Sequence, residues 1–402
     1  MRIQRNHSRL SFRKQRRRRS GCLPLVVLIG LLVGAVTLSW NWIGQRLHIN
    51  TAGQSSEGML ADANAAFSRG DLNNAINISR QVLENKPNQP DAVTLLVRAL
   101  VYRSYADYDH TVDRHSALEV TSQALADDPN DPILLASRAY ALQADGQSAE
   151  SARIAQQVLD KNASDGLARV SLALAYGGAG SFEVALRESM QAAQNPDWQL
   201  DAQRALAISY SDLGDYKSAI TAVERALKLN SRLVPLYFER ALYAMQVGDA
   251  DSATAAYFQV LTYDPDNVKA RLRLCELSSL LREHDQAISY CEQVTERAPS
   301  WADGWYQLGL EHFLQGDFKT AQDALHRCSS LQVMQDVAVK DRKFQCWYLQ
   351  GQAAEIVGDC PSLLATYNEF RSMAANSDVQ QTWTYPPEGP PGCVAYVTTT
   401  PG

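Results

Sequence analysis

Residues 200–233 read LDAQRALAISYSDLGDYKSAITAVERALKLNSRL, and residues 234–267 read VPLYFERALYAMQVGDADSATAAYFQVLTYDPDN. The Gly-Asp pair that begins at Gly214 in the first segment recurs at Gly248 in the second, 34 residues later. The same offset from each glycine holds an alanine, Ala219 and Ala253. A fixed period of this length predicts an array of similar units, each burying its apolar face only against its neighbours.

The same register extends over most of the chain. Its 34-residue frame places repeat starts at Pro132, Gly166, Leu200, Val234, Val268 and Ala302. One eight-residue insertion allows earlier starts at Ser56 and Pro90, and a second insertion leads to a degenerate repeat near Phe344. Nine helical hairpins therefore fit residues 56–375, and the sequence predicts an all-α fold.

These units resemble the tetratricopeptide repeat (TPR) family, whose 34-residue unit is a helix-turn-helix with small residues where the two helices cross. The eighth position of the first helix holds Ala63, Ala139, Ala173, Ala207, Ala241, Cys275, Gly309 and Gly351. The turn position, which needs a residue tolerant of positive φ, is glycine in seven repeats and Arg282 in another. The resemblance implies a right-handed α-solenoid of about nine TPR hairpins with a concave groove.

In this family, positions two, five, nine, twelve and thirteen of the first helix line the groove. Here those positions give a mostly apolar set: Phe238, Leu242, Met245, Asp303, Tyr306, Leu310, Phe313 and Leu314. Such a groove suits a protein or peptide partner docked by burial, with Arg204, Asp212 and Glu276 at the rim setting register. The same side chains could instead fill the core between repeats. The Lys and Asn pattern with which some TPR proteins clamp an acidic C-terminus is absent.

The N-terminal region predicts a membrane anchor. Residues 23–42 carry no charge, and as a helix they span about 30 Å, the thickness of a bilayer's hydrocarbon core. Nine Lys and Arg residues precede this run, and the first acidic residue is Glu57. The positive-inside rule therefore predicts a cytoplasmic segment (1–21), a transmembrane helix (22–43), a tether (44–55) and a solenoid outside the cytoplasm. Gly30 and Gly34 form a G-x-x-x-G pair, a candidate homodimer contact.

Two other interpretations of the N-terminus stay open. A cleaved signal peptide begins in the same way and would leave a soluble exported protein, although no clear small-x-small cleavage site follows. The arginine run by itself also fits a nucleic-acid patch or a nuclear signal. Beyond residue 19, however, 29 basic residues stand against 44 acidic ones, a net charge of −15. Since an acidic body repels phosphates, we expect no nucleic acid partner.

The sequence carries no motif for catalysis or for a metal or cofactor. It has no G-x-x-x-x-G-K phosphate loop, H-E-x-x-H zinc helix, G-x-S-x-G elbow or C-x-x-C pair. His284, between Glu283 and Asp285, fits a solvated charge cluster in a turn better than an acid–base site. We expect a membrane-anchored scaffold without a cofactor. An extracytoplasmic module for glycan or cell-wall material is the alternative, and an enzyme is the third interpretation.

Six of the seven cysteines lie in the last third of the chain, and an even number outside the cytoplasm predicts pairing. The predicted pairs are Cys275–Cys291, Cys328–Cys346 and Cys360–Cys393. The first pair lies two helical turns to either side of Glu283, in the hairpin turn, so its members would face each other. The alternative is that small thiols occupy positions where the repeat requires small residues.

Two further segments depart from the repeat pattern. The insertion before Thr111 carries Tyr102, Tyr105 and Tyr108, whose rings either pack over the neighbouring hairpin or serve an interface. The Pro-rich tail, residues 376–402, cannot continue the helical array. It is expected either to bind back onto the last hairpin or to remain loose.

Overall fold

The computed structural model describes residues 55–375, 383–386 and 389–393. The predicted basic segment and transmembrane helix lie outside these residues, as does the predicted tether apart from Ser55. Among the helices that are described, none is long and apolar enough to cross a membrane. The chain divides into two compact units, residues 1–58 and 59–402, and residues 55–58 are the described part of the first.

Eighteen α-helices, and no strand, make up the described residues. In chain order they are α1 (Ser56–Ser68), α2 (Leu72–Asn85), α3 (Pro90–Ser104), α4 (Val112–Asp127), α5 (Pro132–Ala144), α6 (Ser148–Lys161), α7 (Gly166–Gly178), α8 (Phe182–Ala192), α9 (Gln199–Asp212), α10 (Tyr216–Leu229), α11 (Val234–Gln246), α12 (Ala250–Tyr263), α13 (Val268–Leu280), α14 (His284–Arg297), α15 (Ala302–Gln315), α16 (Phe318–Met334), α17 (Gln345–Val357) and α18 (Cys360–Ala375). They pair in sequence as nine hairpins, which confirms the all-helical repeat array. First helices begin where the register predicts them, except that α9 starts one residue earlier and α17 one residue later.

Most hairpin turns contain a residue with positive φ, and in several of them the next residue caps the second helix. Gly214 has φ 78°, and Arg282 adopts the same region at φ 63° although it carries a side chain. The next residue after Gly214, Asp215, accepts the backbone N–H of Ser218 at 3.1 Å and so caps α10. The repeated Gly-Asp pair therefore ends one helix and begins the next.

Small residues lie buried where the two helices of a hairpin cross. Ala207 and Ala241 are fully buried, and a Cβ on Gly309 would lie 2.6 Å from Leu325 of the partner helix. Gly351 has a different neighbour, because a Cβ there would overlap the indole of Trp383 in the tail. At this last repeat the missing side chain makes room for the tail.

The described part of the tail packs back onto the ninth hairpin, one of the two expected alternatives. Trp383 is buried and meets the rings of Tyr367 and Phe370 edge-on, at centroid distances of 5.1 and 5.3 Å. The Tyr385 hydroxyl donates to the Glu355 carboxylate at 2.6 Å. These contacts cover the end of the hydrophobic core at the C-terminal hairpin.

Three disulfides join the cysteines in the pairs predicted from the sequence. Cα atoms are 5.5 Å apart in Cys275–Cys291, 5.9 Å in Cys328–Cys346 and 5.5 Å in Cys360–Cys393. The first bond joins the two helices of the seventh hairpin, the second joins the eighth hairpin to the ninth, and the third ties the tail to the start of α18. Among the described residues, disulfides therefore cross-link only the last three hairpins and the tail.

The first insertion extends α3 to Ser104 and adds a 3₁₀ turn at Tyr108–His110. The ring of Tyr108 stacks on Trp301 at a centroid distance of 4.5 Å. Trp301 immediately precedes the eighth hairpin, so Tyr108 does not pack over a neighbouring hairpin. Tyr102 does so as expected, because its ring meets Phe67 of the first hairpin at a centroid distance of 5.8 Å. The insertion reaches across the array instead of along it.

The array curves back so that its first two hairpins contact the loops that precede the sixth, seventh and eighth. The Asn230 side chain donates to the backbone oxygen of Phe67 at 2.8 Å in a buried contact. Gly70 lies against Arg232 so closely that a Cβ would be 2.6–2.8 Å from its backbone and Cβ atoms. Hydrogen bonds between residues 161 and 163 positions apart therefore close the described array, and the Tyr108–Trp301 stack adds a contact between still more distant residues.

Candidate functional site

A pocket of about 430 Å³ opens between the first helices of the sixth and seventh hairpins. It is lined by Tyr105, Pro235, Phe238, Glu239, Leu242, Met245, Tyr257, Lys269, Arg273, Glu276, Leu277 and Leu280. Helices α11 and α13 supply most of these residues, α12 supplies Tyr257, and the first insertion supplies Tyr105. The pocket therefore combines the inner face of two adjacent repeats with a wall from the second hairpin.

Apolar side chains dominate the pocket, and two of them are open to solvent. Leu242 is 52% exposed and Leu280 is 68% exposed, whereas Leu277 and Tyr257 are buried beneath them. The Phe238 and Tyr257 rings lie 6.1 Å apart at the base. An exposed apolar surface in a concave site gains free energy when a partner covers it.

Two cations border the pocket. The Lys269 ammonium donates to the Tyr105 backbone oxygen at 2.7 Å and lies 4.4 Å from the centre of the Phe238 ring. Burial, and to a lesser extent the charge of Arg273, lower the pKa of Lys269 to about 8. Arg273 itself pairs with Glu276 at 2.6 Å. Within the described residues, no carboxylate is close enough to Lys269 for a salt bridge.

An ion pair forms the inner end of the pocket. Arg204 donates to Glu239 at 2.7 Å, and its guanidinium lies 5.3 and 4.9 Å from the Tyr102 and Tyr105 rings. Burial raises the pKa of Glu239, although the charge of Arg204 opposes the shift. The prediction that Arg204 lies at the solvated rim is wrong, because this side chain is buried behind the pocket.

A second buried ion pair fills the inner face of the earlier hairpins. Arg98 donates to Asp201 at 2.5 Å, and Tyr140 donates to the same carboxylate at 3.3 Å. The Arg98 guanidinium lies between the Phe67 and Trp198 rings, 4.7 and 4.8 Å from their centres. The chain's own side chains thus occupy the inner surface here, and the groove is not open along the whole array.

Three of the eight groove residues predicted from the sequence, Phe238, Leu242 and Met245, line this pocket. The five from the eighth hairpin do not line it. Asp303 and Tyr306 are engaged by Lys343, which pairs with the carboxylate and lies 4.5 Å from the ring.

The other three residues of the eighth hairpin differ in exposure. Phe313 packs edge-on against Phe318 at 5.2 Å, and Leu310 is half-buried. Only Leu314, 54% exposed, offers free apolar surface. Of the five predicted groove residues in the eighth hairpin, Leu314 is therefore the most exposed, and Asp303, Tyr306 and Phe313 contact other side chains of the chain.

The sequence analysis missed several pocket residues for which signals existed. Applying the groove positions to the repeat at Val268 gives Lys269 and Leu280, as well as Glu276, which was assigned to the rim. Tyr105 lies in the tyrosine-rich insertion, but no sequence signal shows that this segment crosses the array. Tyr257 lies on a second helix, where the groove positions do not apply.

His284 lies at the start of α14 between two exposed acids, Glu283 and Asp285, as the predicted solvated cluster requires. It also makes a contact that the sequence did not predict. Its Nδ1 atom is 3.2 Å from the carboxylate of Glu311, which is fully buried in the next hairpin. Among the residues that the structure describes, no group of His, Cys, Asp and Glu is arranged to hold a metal ion.

Comparison with known proteins finds tetratricopeptide repeats in this chain. Two family models described as tetratricopeptide repeat match residues 244–308 and 205–232. The first of these ranges contains all of the pocket residues on α13, and the second covers most of the fifth hairpin. No curated protein sequence matches the chain.

Solved structures share the fold at low sequence identity. The APC/C hetero-tetramer Cut9–Hcn1 matches with a TM-score of 0.52 and 15% identity, over 76% of this chain and 57% of that one. The chain thus spans little more than half the length of that relative. Human IFIT1, in a dimer with m7Gppp-AAAA, matches with a TM-score of 0.50 and 16% identity over 80% and 73% of the two chains. A tetratricopeptide repeat protein from Parabacteroides merdae matches at 0.43 and 17% identity over 64% and 98%.

Proposed function

We propose, from the premise that this chain is a tetratricopeptide repeat protein, that it is a scaffold which binds a partner protein or peptide in the pocket between α11 and α13. The observation that carries the proposal is the pair of exposed leucines, Leu242 and Leu280, in a concave site with an aromatic base. The pocket volume fits one or two apolar side chains of a partner segment. We propose no catalytic activity.

Charged replacements of the two leucines test this proposal. Leu242→Glu or Leu280→Glu places a carboxylate where the partner's apolar side chain would be buried, so we expect capture of the partner by the tagged full-length chain to be lost. Both side chains are largely exposed, and melting temperatures should therefore stay near the wild-type value. Charged replacements of Tyr306 or Phe313 are poor tests, because those rings pack within the chain.

Phe258→Glu is the matched control, since Phe258 is 45% exposed on α12 but does not line the pocket. It should bind as the wild type does. Equal loss of capture in the control and in the pocket variants would contradict the proposal. Capture that survives protease treatment of the bound material but is lost after glycan removal would favour the glycan or cell-wall module instead.

We further propose that the scaffold is anchored by residues 22–43 with its repeats outside the cytoplasm. The basic cluster before the apolar run supports this orientation, and six cysteines paired in the structure suit an oxidising compartment. Protease added to intact cells or spheroplasts should cleave the repeats. Protection of the repeats with exposure of the N-terminus would reverse the orientation. Replacing Gly30 and Gly34 with leucine tests the candidate homodimer contact, and an unchanged crosslinked dimer would exclude it.

A further inference from the structure

Helix α13 is capped from a distant part of the chain. Its preceding residue, Asn267, accepts the backbone N–H of Ala270 at 2.9 Å, as a cap ordinarily does. The N–H groups of Val268 and Lys269 donate instead to the two carboxylate oxygens of Asp107, at 3.1 and 2.9 Å. A second-hairpin carboxylate thus completes the N-terminus of a seventh-hairpin helix, where the helix dipole favours a negative charge.

Two side chains at the start of α13 donate to the same distant segment. Asn267 also donates from its side chain to the backbone oxygen of Ala106 at 2.9 Å, and Lys269 donates to that of Tyr105 at 2.7 Å. Residues 105–107 are therefore held against the start of α13 by four hydrogen bonds from Asn267, Val268 and Lys269. We name this segment the clasp.

The clasp provides one wall of the pocket. Tyr105 lines it directly, and Lys269, which the clasp holds through the Tyr105 carbonyl, lines it from α13. The Tyr105 ring is itself placed between Arg114 and Arg204, whose guanidinium carbons are 4.5 and 4.9 Å from its centre. Opening the clasp would leave the pocket as a shallow surface on α11 and α13.

We propose that Asp107 is a positioning residue for the pocket: by capping α13 across the array, it holds Tyr105 and Lys269 where a ligand meets them. Asp107 does not line the pocket, so it acts through those two residues. This inference rests on the proposed function for its biological meaning. Its physical content, a pocket that depends on a remote cap, is tested with a probe that requires no knowledge of the partner.

The probe is 8-anilinonaphthalene-1-sulfonate, an aromatic anion that fluoresces in apolar surroundings. Its rings match the apolar lining, and its sulfonate suits the Lys269 ammonium, which has no carboxylate partner among the described residues. We expect the full-length wild type to bind it at one site that Leu242→Glu removes. Asp107→Ala should weaken this binding about tenfold, because the Tyr105 and Lys269 side chains are then no longer held in place and must be ordered when the probe binds.

Two variants separate positioning from general loss of structure. Asp107→Asn keeps one side-chain oxygen for the α13 N-terminus but replaces the other by an NH2 donor, so its probe affinity should lie between those of Asp107→Ala and the wild type. Asp109→Ala removes the exposed acid two residues away, whose carboxylate contacts His110 at 3.2 Å, and should change nothing. Hydrogen exchange at the Val268 and Lys269 amides provides the direct readout, with faster exchange expected in Asp107→Ala.

Faster exchange, weakened probe binding and partial rescue by asparagine together establish the positioning role. Unchanged probe affinity in Asp107→Ala, or equal weakening in Asp109→Ala, overturns it. If Asp107→Ala does not fold, Asp107→Asn decides: weaker probe binding and faster exchange at the Val268 amide support the positioning role, and wild-type values for both overturn it. Failure of the proposed function is a separate result: partner capture would then ignore Leu242→Glu while the probe still depended on Asp107.

Discussion

Gly70 distinguishes closure of the array from the stability of its single hairpins. Both Gly70 and Gly214 occupy turn positions with positive φ, 74° and 78°. A Cβ at Gly214 meets nothing within 4 Å, whereas a Cβ at Gly70 would be 2.6–2.8 Å from Arg232 atoms, including its backbone oxygen and carbon. The alanine variants therefore share the conformational cost of a side chain in this region and differ in the contact across the array.

The expected magnitudes follow from that difference. Gly214→Ala should lower the free energy of unfolding by about 1–2 kcal/mol, the cost of a left-handed conformation for a residue with a Cβ. Gly70→Ala should lower the free energy of unfolding by the same amount and by about 1–3 kcal/mol more, because its side chain is forced into a packed contact. The backbone of Arg232 cannot rotate away as a flexible side chain would, so relief requires the first hairpin to move from the sixth.

Urea denaturation of both variants with disulfides intact measures these costs, and hydrogen exchange locates them. In Gly70→Ala the Asn230 and Phe67 region should lose protection, since Asn230 donates to the Phe67 oxygen there. In Gly214→Ala that region should keep it. An equal cost for the two variants, with unchanged protection near Asn230, would refute the closed array.

Three further outcomes follow from the same structure. Burial lowers the pKa of Lys269 to about 8 in the folded chain, whereas a lysine in the unfolded chain has a pKa of about 10.4. Between about pH 8 and pH 10 the unfolded chain therefore binds more protons than the folded chain. The free energy of unfolding should rise with pH over this range. The free energy of unfolding of wild type minus that of Lys269→Met should increase by at most about 1.4 kcal/mol per pH unit from pH 8 to 10, and a flat difference would show that the ammonium is solvated. Trp383→Ala should cost about 3–5 kcal/mol in urea denaturation, because the indole is buried over Gly351, and a cost below about 1 kcal/mol would mean that the tail is not docked. Replacing both Cys360 and Cys393 with serine opens a loop with a sequence separation of 33 and should cost about 3–4 kcal/mol by the chain-entropy relation, whereas an unchanged midpoint would argue that the bond does not constrain the unfolded chain.

The array itself could be predicted because its determinants are local. The Gly214-Asp215 pair ends one helix and caps the next within four residues. A small residue at the crossing position, such as Ala207 or Ala241, lets the two helices of each hairpin approach closely. Because each repeat interacts mainly with its neighbours, a window of about 34 residues contains the residues that determine its fold. The starts at Val234 and Val268 could therefore be assigned from spacing alone.

Contacts between distant repeats could not be predicted in the same way. Asp107 and Val268 are 161 residues apart in sequence, and nothing in the local pattern around either one names the other. Arg204 has the appearance of a rim residue because arginine usually meets water, yet closure buries it with Glu239. For the same reason the sequence did not show that Arg98 and Asp201 pair across repeats and fill part of the predicted groove.

The eighth hairpin shows a second limit of the positional rule. Asp303 and Tyr306 occupy groove positions, but the second insertion brings Lys343 onto both of them. In the sequence an insertion is visible only as a gap in the repeat register. The surface that it covers depends on the path of the inserted segment, which the register does not give. In the described part of the chain, no insertion covers the predicted groove residues of the sixth hairpin, Phe238, Leu242 and Met245, and these three line the pocket.

Site-specific photocrosslinking tests the central claim, that the pocket is where a partner binds, most directly. A benzophenone amino acid is placed at Leu242, at Leu280 or, as the control outside the pocket, at Phe258 of the full-length chain in native membranes. The account predicts the same discrete protein adduct from both pocket positions, its loss when Leu242→Glu is combined with the probe at Leu280, and no such adduct from Phe258. The same adduct at all three positions, or none at Leu242 and Leu280 while Phe258 gives one, would contradict it.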